Sequence, residues 1–129
     1  MICTVNRRNA TLVPGTGAAV TSLVPVRRLD NYIKANISSP ERIRLIKIDV
    51  EGYEFPVLRG LECFLSGSTY RPLIVCEVKP WELKKLGFTM DAFQQYMRKF
   101  DYIAYDMVDV DKPIDLLRMK EMEVVLFHT

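Results

Sequence analysis

The stretch LIKIDVEGYEFPVLRG, residues 45–60, decides the fold, because it joins a strand to a helix through a turn crowded with acids. Its first half is mostly Ile, Leu and Val, as in a parallel strand covered on both faces, and we predict this strand over residues 43–50. Asp49, Glu51 and Glu54 follow closely, around Gly52. Either this is an ordinary strand-to-helix turn with a charged surface, or the acids face a bound molecule.

The second half of the stretch predicts a helix over residues 54–65. Gly52 lets the chain turn sharply before it, and Pro56 is tolerated because it falls in the first turn. Glu54 lies at the positive end of this helix, where a carboxylate is stabilising. We therefore interpret Glu54 as a helix-start residue rather than a catalyst.

The rest of the chain alternates helices and strands, which predicts an α/β fold with a mostly parallel sheet and flanking helices. Thr89 is placed to cap one of the helices. The last two strands are expected to be antiparallel neighbours. Residues 1–20 predict an irregular N-terminal segment, and residues 21–129 predict the domain. The further predicted elements are the helices 28–36, 80–86 and 89–100 and the strands 72–78, 102–108 and 123–129.

Composition excludes several classes of protein. The chain has 129 residues, of which 49% are hydrophobic and 26% charged, and a net charge of +2, so nucleic acid is not an expected partner. No apolar run approaches the roughly 20 residues of a membrane helix, and the N-terminus lacks the charged-then-apolar order of a signal peptide. Cys3, Cys63 and Cys76 are odd in number and widely spaced, which predicts buried thiols in a reducing compartment and hence a cytoplasmic protein.

Two predicted neighbouring strands each end in an acid, Asp49 in one and Glu77 in the other. Because ligands of open α/β sheets sit at the carboxyl ends of the strands, we expect both carboxylates at one edge of the sheet. An acid ending an apolar strand must be solvated or paired, and Lys47 is a candidate partner for Asp49. A structural ion pair and contact with a ligand both remain open. A divalent metal there lacks a clear ligand set, so no metal site is predicted.

The run IRLIKIDVEGYEFPVLRG followed by PLIVCEV resembles the core signature of the FkbM-type methyltransferases. The upstream VPVRRLDNYI is similar to the segment of that family that leads into a helix, although Arg27 and Arg28 replace its usual capping residues. The resemblance covers residues 21–78 well and the later strands more loosely. It implies a Rossmann-like fold, the cofactor S-adenosylmethionine and O-methylation of a hydroxyl on a sugar or small natural product. It also implies catalytic roles near the acceptor for Asp49, Glu51 and Glu77.

One part of the family's pattern is missing from the sequence. Such a domain begins with a strand and a glycine-rich turn for the cofactor, and neither is found before residue 43, since Gly15 and Gly17 do not have that spacing. The resemblance therefore implies the C-terminal part of the domain, without its N-terminal strands and glycine-rich loop. The cofactor-binding residues are thus not assigned.

A sheet without its first strands would expose the edge of LIKIDV. We expect that edge to pair with a second copy of the chain or to be covered by the residues before Thr21. Two other readings stay open beside the methyltransferase. One is a truncated, non-catalytic α/β module that binds a partner or dimerises, and the other is a metal-dependent hydrolase that uses the acids.

Overall fold

A computed structural model describes residues 2–5, 10–11, 20–23 and 25–129, with the side chains described from Pro25 onward. Its elements, in chain order, are β1 Ile2–Val5, β2 Ala10–Thr11, β3 Val20–Leu23, α1 Leu29–Asn36, β4 Leu45–Ile48, α2 Glu54–Arg59, α3 Glu62–Gly67, β5 Leu73–Val78, α4 Pro80–Lys85, α5 Met90–Arg98, β6 Ile103–Asp106 and β7 Glu123–His128. Short 3₁₀ helices cover Pro40–Arg42 and Leu116–Arg118.

The strands form two sheets. β2, β1 and β3 make an antiparallel sheet in that order, so residues 1–20, expected to be irregular, contain two short strands. The boundary at residue 21 stays a prediction, and the glycines at 15 and 17 lie outside the described residues. The second sheet has the order β4-β5-β7-β6.

The second sheet is mixed. β4 and β5 are parallel, while β7 lies between β5 and β6 and runs antiparallel to both. β4, β5 and β6 therefore point the same way, but only the pairing of β4 with β5 is parallel, so the expected mostly parallel sheet is a mixed sheet. The expected antiparallel pairing of the last two strands is confirmed.

One face of this sheet carries the hydrophobic core. Ile48, Ile74, Cys76, Val125 and Phe127 are 0–3% exposed on this face and belong to one cluster with side chains of the helices. Within α5, Phe93 and Met97 are buried as its apolar spacing predicts, and Thr89 caps it by accepting a hydrogen bond from the Ala92 N–H. The helices thus hold β4 and β5 from one side.

Within the described residues the other face is open over much of its area, although Leu126 is buried there, which corrects the prediction that the strand is covered on both faces. Strand pairing places Leu45, Leu73, Val124 and Ile103 on this face, and they are 43–55% exposed. In the described part of the chain, every strand residue of the buried core cluster belongs to the opposite face. β4 therefore has one face that is buried at Ile48 and one exposed face that carries Leu45 and Lys47.

The predicted helix 54–65 is two helices, because Asp30 of α1 interrupts it. In a continuous helix the Phe64 N–H would donate to the Gly60 carbonyl. Here that carbonyl accepts from the Asp30 N–H at 2.9 Å, and the Phe64 N–H donates to Asp30 Oδ1 at 3.0 Å. Asp30 Oδ2 also accepts from the Cys63 N–H, so this carboxylate caps α3 from a distant part of the sequence.

Three smaller expectations have mixed outcomes. Arg28 begins α1 without a side-chain cap, as its sequence predicts. Cys76 is buried, which raises the pKa of its thiol, but Cys63 is exposed, so the prediction of buried thiols is wrong for Cys63. Cys3 falls outside the described side chains.

No helix in the described part of the chain has the length and apolar character needed to cross a membrane.

Candidate active site

The turn after β4 is built on two residues with left-handed backbone and one buried acid. Glu51 has φ 51° and Gly52 has φ 100°. Glu54, only 4% exposed, accepts hydrogen bonds through Oε1 from the Gly52 N–H at 2.9 Å and the Val50 N–H at 3.3 Å. Glu54 therefore fastens the turn to the start of α2, which confirms its interpretation as a helix-start residue.

The electrostatic state of Glu54 is set by its burial. Burial raises the pKa of this carboxyl above its ordinary value, although the two backbone hydrogen bonds and the charge of Lys79 oppose the shift. The carboxyl also points into the turn rather than toward solvent. Both observations favour a structural role for Glu54.

The three remaining acids meet at one edge of the sheet. Ile48 of β4 pairs with Cys76 of β5, so the next residues along the two parallel strands, Asp49 and Glu77, end side by side. One carboxylate oxygen from each of Asp49, Glu51 and Glu77 lies within 4.8 Å of the other two. We call these three residues the acid cluster. The structure thus brings together all the acids proposed as catalytic, and their catalytic role stays a prediction.

Two lysines offset part of the charge of the acid cluster. The Lys79 ammonium donates to Glu77 Oε2 at 2.9 Å and to Glu51 Oε2, and its side chain is only 16% exposed. Burial by itself would lower the pKa of Lys79, but the hydrogen bonds to Glu51 and Glu77 outweigh it, so this pKa lies above its ordinary value. Lys47 binds Asp49 at 2.6 Å, as the sequence predicts.

Sequence reasoning missed Lys79, although a signal was present. In an extended chain, residues two apart share a side, and Lys79 follows Glu77 at that spacing. Its position among the carboxylates means that a protein ammonium group already serves as the cation of the cluster. A divalent ion at the same oxygens would have to compete with Lys79.

The members of the acid cluster differ in access. The side chain of Asp49 is 46% exposed, whereas those of Glu51 and Glu77 are 28% and 21% exposed. Trp81 is also 44% exposed, and it lies in the first turn of α4, two residues after Lys79. A molecule approaching this edge would meet Asp49 first.

The part of the chain that the structure describes in full offers only some of what S-adenosylmethionine needs. Carboxylates of the acid cluster can accept hydrogen bonds from hydroxyl or ammonium groups. The glycines after residue 25 are Gly52, Gly60, Gly67 and Gly87, which are too far apart in sequence to form a glycine-rich turn. The acid cluster can therefore bind hydroxyl or ammonium groups, and the glycines from residue 25 onward do not supply a glycine-rich turn.

Comparison with known proteins identifies the family. The family model described as "Methyltransferase FkbM domain" matches residues 6–104, more than half of the chain. A search of curated proteins and a search of solved structures each found no match. The matched range contains β4, β5, the turn between β4 and α2 and the whole acid cluster. The chain therefore belongs to the FkbM methyltransferase domain family.

Proposed function

We propose that this chain is part of an S-adenosylmethionine-dependent methyltransferase that methylates a hydroxyl group of a sugar or small natural product. The observation that carries the proposal is the convergence of Asp49, Glu51 and Glu77 at the carboxyl ends of two parallel strands, inside the family match. The same proposal includes a Rossmann-like arrangement for the domain, supported by the parallel strands β4 and β5 with helices after each. The family supplies the reaction class, and the acid cluster supplies groups suited to a hydroxyl.

The proposed role of Asp49 is to orient the acceptor hydroxyl and to take its proton. Asp49 has the most exposed carboxylate of the acid cluster, so it is the most available to an incoming hydroxyl. S-adenosylmethionine would supply a methyl group on a positively charged sulfur, which an oxygen nucleophile can attack. Removal of the proton by a positioned carboxylate makes the acceptor oxygen a better nucleophile.

The proposed role of Lys79 is to position Glu51 and Glu77. Carboxylates that share a site repel one another, and an ammonium hydrogen-bonded to two of them lowers that cost. Glu51 and Glu77 are then held ready to accept hydrogen bonds from further hydroxyls of the acceptor. The exposed ring of Trp81 offers an apolar face for the carbon side of a sugar ring.

The test joins cofactor binding to methyl transfer. Calorimetry with S-adenosylmethionine measures binding, and isotope-labelled cofactor measures methyl transfer to a panel of sugars and hydroxylated small molecules. Removing a general base typically lowers the reaction rate by about 10²–10⁴-fold, so the rate of methyl transfer by Asp49→Asn is expected to fall by about that factor. Asp111→Asn, an exposed acid of the loop after β6, is the control and is expected to behave as the unmodified chain.

Two results would contradict the proposal. Absence of S-adenosylmethionine binding would remove this chain from the binding of the cofactor. Full activity of Asp49→Asn would remove Asp49 from the reaction, whatever the cofactor does.

A second candidate function, a non-catalytic module that dimerises, is favoured by the free edge of β4. Within the described part of the chain β4 pairs only with β5, so its other edge has no strand partner there. Lys47 and Asp49 have opposite charges along this edge, so antiparallel pairing with a second copy could bring Lys47 beside the partner's carboxylate. The proposed occupant of the edge is therefore a second copy of this chain.

Light scattering after size-exclusion chromatography over a range of concentrations tests this alternative. A dimer is expected, and Leu45→Lys, at a 55% exposed position of β4, is expected to weaken it. Leu117→Lys, at a 52% exposed position of a 3₁₀ helix, is the matched control. A monomer at every concentration would rule out this module.

A further inference from the structure

A groove runs along α2 beside the turn that carries the acid cluster. Two cavities of about 280 Å³ and about 400 Å³ meet there, and their shared lining makes them one continuous groove. Each is close to the size of pockets that take small organic molecules. The residues that line both cavities are Arg28, Tyr53, Pro56 and Gly60.

The groove carries positive charge without a matching number of carboxylates. Arg27 and Arg59 line it, both are exposed, and neither forms an ion pair with any residue from 25 to 129. Arg28 also lines it but is already bound to Asp30 at 2.8 Å. Two guanidinium groups are thus available to a ligand.

The one acid that lines the groove is already neutralised. Glu62 accepts a hydrogen bond from the Lys99 ammonium at 2.7 Å, and both side chains are about half exposed. The groove therefore keeps the excess positive charge of its arginines. Guanidinium groups match carboxylate and phosphate oxygens in a two-pronged geometry, so an anionic ligand group suits this groove.

Aromatic rings give the groove flat apolar walls. The Arg59 guanidinium lies over the Phe88 ring, 5.6 Å from its centroid. Tyr53 is half-buried, and its hydroxyl has no hydrogen-bond partner in the described part of the chain. An aromatic hydroxyl beside guanidinium groups can bind the polar and carbon faces of a sugar ring together.

The groove begins where the acidic turn ends. Tyr53, which lines the groove, directly follows Gly52 and is two residues from Glu51 in sequence. The groove and the acid cluster are therefore joined by one short turn.

We propose that the groove formed by Arg27, Arg28, Tyr53, Arg59 and Phe88 binds the carboxylate or phosphate of an anionic sugar, which is the acceptor of the proposed methyl transfer. This proposal rests on the proposed function for the identity of the reacting group. It adds the chemical class of the acceptor and the residues that select it.

Binding measurements without cofactor test the groove directly. Calorimetry compares glucose, glucose 6-phosphate, glucuronate and inorganic phosphate at low ionic strength, where charge effects are least screened. At least one of the anionic sugars is expected to bind at least 10-fold more tightly than glucose, and the stronger of the two identifies phosphate or carboxylate as the preferred group. The double variant Arg27→Gln with Arg59→Gln is expected to lose at least 10-fold of that affinity.

The matched control is Arg118→Gln, whose side chain is 88% exposed and paired only with Asp115. It removes one positive charge away from the groove and is expected to leave binding unchanged. Equal binding of glucose and both anionic sugars, an unchanged affinity in the double variant, or an equal loss in Arg118→Gln would each overturn the proposal. Inorganic phosphate binding as tightly as glucose 6-phosphate would also overturn it, because the sugar would then contribute nothing.

The binding measurement tests the groove independently of the methyltransferase proposal. Binding that depends on Arg27 and Arg59, in a chain that transfers no methyl group, would contradict the proposed reaction and leave the groove established. Methylation of neutral sugars with the same KM in the double variant would contradict the groove and leave the reaction intact.

Discussion

Two sets of acids in this molecule differ in their partners. The difference separates carboxylates that hold the fold together from carboxylates that a ligand can reach. Asp30 and Glu54 are 8% and 4% exposed and accept hydrogen bonds from backbone N–H groups. Asp49, Glu51 and Glu77 reach solvent and pair with lysine ammonium groups. Acids held by backbone N–H groups fix the fold, whereas acids held by lysine side chains can change partner when a ligand arrives.

The pKa values of the two buried acids are shifted in opposite directions. Burial alone would raise the pKa of Asp30, but hydrogen bonds from Arg28 and from the Phe64 and Cys63 N–H groups outweigh it, so this pKa is lowered. For Glu54 burial prevails, and the pKa is raised. The fold therefore stabilises the ionised form of Asp30 and the protonated form of Glu54.

The largest expected effect is from Asp30→Ala. This change leaves the N–H groups of Cys63 and Phe64 without their acceptor and Arg28 without its partner. Losing a helix cap and a charged hydrogen-bond acceptor together is expected to lower the free energy of unfolding by about 3 kcal/mol. Urea denaturation measures it, with Asp111→Ala as an exposed control. A loss as small as the control's would make Asp30 no more structural than a surface acid.

The next largest effect on stability is expected at Gly60, where α2 lies close to the start of α1 and so lets Asp30 reach α3. A Cβ at Gly60 would lie 3.0 Å from the Val57 carbonyl oxygen and 3.5 Å from the Leu29 nitrogen. Gly60→Ala is therefore expected to cost about 1–2 kcal/mol, despite the better helix propensity of Ala. At Gly67, the last residue of α3, a Cβ meets nothing within 4 Å, so Gly67→Ala is the control and is expected to be neutral or stabilising. Equal outcomes at Gly60 and Gly67 would show that the contact at Gly60 is easily relieved.

A smaller effect, with a distinctive pH dependence, is expected from Glu54→Gln. The amide keeps an oxygen for the Val50 and Gly52 N–H groups, so the cost near neutral pH is expected to be below about 1 kcal/mol. The pKa of Glu54 is raised in the folded chain. The contribution of Glu54 to the free energy of unfolding is therefore fully present below the unfolded pKa of about 4.3 and is lost as pH rises through the folded pKa.

The measurement is the free energy of unfolding of both proteins across that pH range. Relative to the unmodified chain, Glu54→Gln is expected to gain stability as pH rises above about 4.3. Asp30 follows the opposite rule, since its lowered pKa gives a contribution that is present above about 3.9 and is lost as pH falls. Glu41→Gln, at an exposed position, is the control. A difference between Glu54→Gln and the unmodified chain that does not vary with pH would contradict the assigned charge state.

The smallest effect on stability is expected from Asp49→Asn. Its pairing with Lys47 is exposed on both sides, and such pairs contribute about 0–1 kcal/mol, so the change in unfolding free energy is expected to be below about 0.5 kcal/mol. A small change in stability, together with the loss of methyl transfer proposed above, would place Asp49 among the acids that a ligand can reach. A large loss of stability would move it to the structural group.

The sequence predicts the meeting of the acids because that meeting follows from local rules. Parallel strands end at one edge of a sheet, so Asp49 and Glu77 could be placed together before any coordinates were known. The cap at Thr89 is likewise confirmed, since it depends on residues three positions apart. Predictions of this kind succeed because the interacting residues are near neighbours in sequence or in strand register.

The missed features depend on long-range contacts. Asp30 and Phe64 are 34 positions apart, so nothing in residues 54–65 alone shows that a carboxylate from α1 will divide the helix. The open sheet face was missed for another reason. Residues such as Leu45 and Leu73 are as apolar as the buried Ile48 and Ile74, so hydrophobicity alone cannot tell a covered face from an exposed one.

The open face also has a consequence for handling the protein in solution. An apolar surface of this kind on a folded chain is a place where hydrophobic fluorescent dyes and detergent monomers adsorb. Dye fluorescence in the absence of denaturant would therefore report this surface of the native state, and it should not be read as a sign of a partly melted protein.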